Sequence, residues 1–224
     1  MNIEFAASMM CANYANLEEE IRALEDGGID SFHIDIMDGT FVPNFGMGIH
    51  DLKYLRSATK KDVEVHLMIQ DPMKNLKLFI DCGVNVIYFH PESDYHPSTT
   101  IQHIIEAGIT PGIAINPGTS MESVEELLYI VDRVLIMSVN PGNAGQVLLP
   151  YIGRKIEKFI DAKKDYNMKL YWDGSCSIDK IQTYAPMGMD GFVLGTASLF
   201  GHNRSYKEII TEIREDLNKI EKKD

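Results

Sequence analysis

The sequence predicts a closed eight-stranded (β/α)8 barrel, a TIM barrel, built as a single domain over residues 1–224. Three observations carry that expectation. Short apolar runs alternate with segments of helical period along the whole chain, the rhythm of parallel strands joined by crossover helices. Eight such repeats share 224 residues, which leaves room for a compact barrel with few insertions. The turn after the first run reads Ser8-Met9-Met10-Cys11 and lacks the glycine pattern that an open doubly wound sheet usually shows there.

The elements follow in order. A strand at Ile3–Ser8 leads to a helix at Asn16–Asp26, where Leu17, Ile21 and Leu24 share one face and Glu18, Glu19 and Glu20 load the first turn. Gly27-Gly28 ends that helix. Strands are then expected at Ser31–Ile36, Asp62–Met68, Asn85–His90, Pro111–Asn116, Arg133–Val139, Lys169–Asp173 and Gly191–Gly195, each with a turn and a helical segment behind it. Gly83, Gly108 and Gly188 close three of those helices. The last helix, Ser205–Lys222, carries charge on its outer face, and the terminal EKKD reads as a solvated tail.

Composition narrows the partners. Lys plus Arg number 21 and Asp plus Glu 33, a formal charge of −12, with 45% hydrophobic and 24% charged residues. This is ordinary globular usage and excludes a disordered or fibrous chain. The acidic balance disfavours nucleic acid and anionic membranes, since both need a basic face. No run of about 18 apolar residues suggests a membrane span. The opening MNIEFAAS shows no cationic stretch followed by an apolar run, so no signal peptide is expected and the expected location is cytoplasmic. Cys11, Cys82 and Cys176 are odd in number and form no CxxC pair, which reads as reduced thiols.

Polar residues stand where barrel strands should be apolar. In FHIDIMDG, residues 32–39, Ile34 and Ile36 share one face while His33, Asp35 and Met37 share the other and point inward. In EVHLM, residues 64–68, Glu64, His66 and Met68 point inward. Asp173 ends a third strand, in YWDG. Buried imidazoles and carboxylates need partners. A lone inward histidine is more often a hydrogen-bonded core residue, but two such strands and a terminal Asp-Gly favour one divalent cation held by His33, Asp35, His66 and Asp173. This donor set suits Zn, Mn, Fe or Co. His90, in FHPE, is as well suited to a supporting contact as to a structural cap. Met10, Met37, Met68 and Met137 fall near the same mouth, either as core filler or as an apolar lining that keeps water from a reactive intermediate.

Three glycine-bearing turns follow the last three strands: NPGNAGQ (140–146), DGSC (173–176) and GTASLF (195–200). Such turns offer backbone N–H groups to a phosphate, helped here by a short helix expected to open at Thr196 and Ala197.

These residues resemble a known family. HIDIMDGTFVPN (33–44), VHLM (65–68), NPGTS (116–120), VNPGNAGQ (139–146) and the DG and GT turns are similar, in order and through essentially all eight units, to the ribulose-phosphate 3-epimerase family. The resemblance implies a ribulose-phosphate-binding type of barrel and a metal-dependent inversion at C3 of a ketose phosphate. It implies metal ligands at His33, Asp35, His66 and Asp173, with Asp35 and Asp173 also serving as the two acid–base groups. It further implies sugar contacts from Ser8 and His66, and phosphate contacts from Gly142, Asn143, Ala144, Gly145, Gly174, Ser175, Gly195 and Thr196; Met37, Met68 and Met137, read as an apolar lining, would shield the intermediate.

Departures from the usual pentulose-phosphate pattern are visible. PGNAGQ replaces PGFGGQ, DGS replaces DGG, and GT replaces GS. HPE at 90–92, Met10-Cys11, DGSC and GTxxLF are closer to the branch that interconverts D-allulose 6-phosphate and D-fructose 6-phosphate, whereas Asn143 fits neither branch. The alternatives are the D-ribulose 5-phosphate to D-xylulose 5-phosphate reaction and a non-catalytic sugar-phosphate-binding barrel. A homo-oligomer is the prior for such barrels. An orotidine-type decarboxylase would need lysine within DIMD at 35–38, where Met37 stands, and a Schiff-base aldolase would need a strand ending in lysine, which none of these strands does.

Overall fold

A computed structural model describes residues 1–222. Its strands are β1 (Glu4–Ser8), β2 (Ser31–Met37), β3 (Asp62–Met68), β4 (Val86–Phe89), β5 (Thr110–Ile115), β6 (Arg133–Met137), β7 (Lys169–Asp173) and β8 (Gly191–Leu194). They pair in parallel and in sequence order, and β8 closes onto β1. The expected closed barrel is therefore the fold. Outside it lie α1 (Leu17–Gly27), α2 (Ile49–Ala58), α3 (Leu76–Ile80), α4 (Pro97–Glu106), α5 (Ile152–Ala162), α6 (Ile178–Tyr184) and α7 (Tyr206–Glu221).

Two connections differ from expectation. Between β5 and β6 the helical segment is only a 3₁₀ turn at Glu125–Tyr129. Val124 and Leu128 are its buried apolar anchors, too short a stripe to repay the nucleation cost of a longer helix. After β8 the expected short helix at Thr196-Ala197 is a single closed turn. The N–H groups of Ser198, Leu199 and Phe200 all converge on the Gly195 carbonyl, at 3.3, 2.9 and 3.2 Å, and Gly201 then turns the chain away at φ +78°.

Strands β4, β5, β6 and β8 stop one or two residues short of the expected ends, because His90, Asn116, Ser138 with Val139, and Gly195 leave the ladder to start loops at the mouth. The last helix takes Ser205 as its cap rather than its first residue. Of the terminal EKKD, Glu221 and Lys222 are exposed, and residues 223–224 lie outside the described residues.

Alternation along each strand separates two apolar layers. Outward residues such as Phe32, Ile34, Val65, Ile87, Val134, Ile136 and Trp172 pack with the helices into the main core. Inward residues Ala6, Val86, Tyr88, Ala114, Leu135, Met137, Tyr171 and Val193 fill the barrel. Two inward glycines make room for the largest of these: a Cβ at Gly112 would strike the Tyr88 ring, and one at Gly191 would stand 2.5 Å from the Tyr171 ring. Cys11, Cys82 and Cys176 are all free thiols. Among the described residues no helix is long and apolar enough to cross a membrane.

Candidate metal centre and active site

Parallel register assembles the polar cluster. On β2, His33 lies beside Ser8 of β1 and Glu64 of β3, and Asp35 lies beside His66. Asp173 comes from the end of β7, opposite Met137. One donor atom from each of His33, Asp35, His66 and Asp173 lies within 4.8 Å of all the others. His33 Nε2 is 3.6 Å from Asp35 Oδ1 and 3.9 Å from Asp173 Oδ2. His66 Nδ1 is 3.2 and 3.6 Å from the same two oxygens. These separations match the edges of a small coordination polyhedron, which measure about 3.3 Å for a tetrahedral ion with bonds of about 2.0–2.1 Å.

Two further observations fit a cation to this set. His33 Nε2 is fully buried and has no hydrogen-bond partner. Asp35 and Asp173 bring two carboxylates to a cavity that has no Lys or Arg among its lining residues.

Electrostatics tie the cluster together. Burial opposes charge on His33, Asp35 and His66, but their neighbours outweigh it. Asp35 and Glu64 hold the His33 imidazole well above its ordinary pKa, and Asp173 and Asp35 raise that of His66. The His33 and His66 imidazoles, 3.6 and 3.2 Å from its Oδ1, hold the Asp35 carboxyl below the usual carboxylate range.

A supporting shell orients both imidazoles. His33 Nδ1–H donates to Glu64 Oε1 at 2.6 Å. This leaves Nε2 facing the carboxylates. His66 Nε2 lies 2.8 Å from His90 Nε2. Burial, with His66 alongside, pushes His90 down to about 4, so His90 is neutral and accepts the His66 proton at Nε2. His66 Nδ1 then faces Asp35 and Asp173. Ser8 Oγ donates to Asp35 Oδ2 at 3.2 Å.

Above the cluster opens a cavity with roughly 780 Å³ of empty space including its mouth. Of the residues expected at the site, Ser8, Asp35, Met37, Met68, Met137, Gly142, Asn143, Ala144, Gly145, Asp173, Gly174, Ser175, Gly195 and Thr196 line it. His33 and His66 lie buried behind it. The three glycine turns thus meet on one side of the mouth. Gly174 and Ser175 both take positive φ, +88° and +47°. A Cβ at Gly174 would stand 2.5 Å from Val139 Cγ2, so this turn needs glycine at 174 for space as well as for conformation.

Sequence reasoning missed three contributors. The strand pattern turns Glu64 inward without giving it a role, yet it is His33's partner. The pattern that could have revealed it is an inward carboxylate level with an inward histidine on the next strand. His90, for which the sequence leaves a supporting contact and a structural cap equally open, is fully buried against His66. Asn44 carries no sequence signal of a role, yet its Nδ2 donates to Gly142 O at 2.7 Å and to Asn143 Oδ1 at 3.3 Å. That contact spans 98 residues of chain, and no local pattern announces it.

Comparison with known proteins accords with this arrangement. Residues 4–199 match the model of the ribulose-phosphate 3 epimerase family. The chain is 35% identical over 217 residues to a ribulose-phosphate 3-epimerase of Methanocaldococcus jannaschii, covering 95% of this chain and 90% of that protein. It is 37% identical over 201 residues to that of Aquifex aeolicus, covering 88% and 89%. Among solved structures, KGPDC from Streptococcus mutans superposes with a TM-score of 0.73 over 98% of this chain and 99% of that one, at 8% identity, a likeness of fold alone. A match along nearly the whole barrel, at identities well above those of a shared fold, places the chain in the ribulose-phosphate 3-epimerase family, and so among the isomerases that epimerise ketose phosphates.

Proposed function

We propose that Asp35 and Asp173 form the acid–base pair that inverts C3 of a ketose phosphate, with D-allulose 6-phosphate and D-fructose 6-phosphate as the substrate pair. The observation that carries this reading is the placement of two carboxylates from separated strands against the same two imidazoles at the floor of one cavity.

Inverting C3 requires loss of a proton beside the C2 carbonyl and its return from the other face. One carboxylate cannot reach both faces of the planar enediolate, so two are needed. A free aspartate, with a pKa near 3.9, is far too weak a base for such a carbon acid unaided. A divalent ion held by His33, Asp35, His66 and Asp173 would supply Lewis-acid stabilisation of the negative charge on the sugar oxygens. The chain's own residues do the rest. Ser8 Oγ, within reach of Asp35, orients that carboxylate and contacts the sugar. Met37, Met68 and Met137 wall the reacting carbons with side chains that carry no exchangeable proton. The turns at Gly142–Gly145, Gly174-Ser175 and Gly195-Thr196 offer N–H groups to the phosphate, so an acidic protein binds an anion without a side-chain cation.

The six-carbon substrate is favoured by Met10-Cys11, HPE, DGSC and GTxxLF, of which Met10, Cys11, Ser175, Cys176 and Thr196 line the cavity. The second reading, D-ribulose 5-phosphate to D-xylulose 5-phosphate, is supported by the names of the relatives above. Rates on both substrates decide between them. D-allulose 6-phosphate is expected to show the higher kcat/KM by about tenfold or more, and the reverse order would establish the pentulose reading. Run in D₂O, the reaction is expected to place solvent deuterium at C3. Epimerisation without that label would exclude proton abstraction at this carbon.

Asn44 provides a test of the phosphate end. Its amide and Gln146 Nε2, which donates to Asn140 O at 2.6 Å and Asn143 O at 2.9 Å, tie down the 140–146 loop. Asn44→Ala removes contacts worth about 1 kcal/mol each. KM is expected to rise about tenfold with kcat changed little, as measured by steady-state kinetics. A fall confined to kcat would place Asn44 at the reacting carbons instead.

A further inference from the structure

Beneath the candidate centre, the barrel interior holds a second set of charges that the reaction does not use. Arg133 opens β6, its side chain only 14% exposed. Its Nη1 lies 3.5 Å from Glu64 Oε2, and its Nη2 lies 3.2 Å from Glu4 Oε2. The guanidinium sits 4.5 Å above the centre of the Tyr171 ring. Tyr171 Oη donates to Glu4 Oε2 at 2.8 Å, and Lys169 Nζ donates to Glu4 Oε1 at 2.7 Å. The room left by Gly112 and Gly191 admits the Tyr88 and Tyr171 rings at this level.

We propose that Arg133 is a positioning residue for the metal centre, acting through Glu64 to hold the His33 imidazole with Nε2 turned toward Asp35 and Asp173. The proposal rests on the four-ligand reading of the centre. Glu64 is almost wholly buried, and its two oxygens divide their work. Oε2 faces Arg133 and accepts from Ser31 Oγ at 3.5 Å, while Oε1 accepts from His33 Nδ1 at 2.6 Å. Among the described residues, Arg133 and His33 are its two ion-pair partners. Removing the guanidinium leaves a buried carboxylate with its outer oxygen held by one long hydroxyl contact, free to turn about its terminal torsion. The ring whose orientation it sets then turns with it. Groups of this kind typically change metal affinity 10–100-fold when replaced. Arg133 itself is stacked on the Tyr171 face, so its fork is preorganised toward Glu64.

Cobalt(II) titration of the metal-stripped enzyme, read by visible d–d absorption, tests the proposal without using turnover. Arg133→Met and Glu64→Gln are each expected to weaken cobalt binding about tenfold or more and to shift the absorption bands. The double variant is expected to bind no more weakly than Glu64→Gln alone, because Arg133 acts only through that carboxylate. Glu4→Gln, which disturbs the same charge layer without touching His33, is expected to leave affinity within about threefold while lowering Tm. An Arg133→Met effect below about threefold, losses that multiply in the double variant, or an equal loss in Glu4→Gln would overturn the proposal. Should Arg133→Met fail to fold, Arg133→Gln keeps a donor for Glu4 and carries the same expectation, and wild-type affinity in Glu64→Gln overturns the proposal by itself. A wild type that binds no cobalt would defeat the four-ligand reading and this inference with it. Cobalt binding indifferent to position 133 defeats this inference alone.

Discussion

Asp173→Asn and Asp35→Asn are each expected to lower turnover by at least about 10²-fold, the scale of a lost acid–base group. The asparagine amide matches the carboxylate in shape but neither takes nor gives the C3 proton. The two substitutions differ in what else they disturb. Asp35 is almost fully buried, accepts from Ser8 and lies 3.2 Å from His66 Nδ1, so its variant also loses part of the charge that holds both imidazoles. Asp173 sits at the cavity edge with a side chain 15% exposed, and its variant should retain more of the cluster. Metal content measured alongside kcat separates lost chemistry from lost ion. A two-base mechanism makes a sharper prediction. With one aspartate replaced, the other still reaches its own face of C3, so one epimer should exchange its C3 proton with solvent while interconversion stalls. Near-normal turnover in either variant removes that residue from the acid–base pair.

Stripping divalent ions is expected to reduce turnover to about 1% or less, with recovery on adding back Zn, Mn, Fe or Co one at a time. Two carboxylates and two imidazoles face a lining without Lys or Arg, so no ammonium or guanidinium stands ready to take the ion's place. Stability should follow the same linkage. An ion at 100 times its Kd adds about 2.7 kcal/mol to the folded state, which raises Tm by roughly 5–10 °C in a chain of this size. Full activity in protein shown by elemental analysis to be metal-free would contradict the assignment of the four ligands.

Much of this was legible from residue order. Alternation within FHIDIMDG and EVHLM separates apolar outward positions from polar inward ones, and the register of β2 against β3 then sets Asp35 beside His66. The loop after β8 was harder. A Gly-Thr turn before apolar residues reads as a helix start, but the Gly195 carbonyl accepts the N–H groups of three successive residues and the turn closes on itself. The β5–β6 segment failed for the opposite reason, since its weak helical period lacked enough buried surface to sustain an α-helix.

Residue order is enough to give the strand count, the inward faces and the grouping of His33, Asp35, His66 and Asp173 as candidate ligands, because a barrel strand repeats every two residues and a polar residue on the apolar phase stands out within a few positions. Three-dimensional packing was needed to set which nitrogen of each histidine faces the carboxylates, to link His33 to Arg133 through Glu64, and to clasp the loop at Gly142 with Asn44. Those relations join residues 31, 69 and 98 positions apart. Such distances in space are set by closure of the whole ring of strands, which no local stretch of chain encodes.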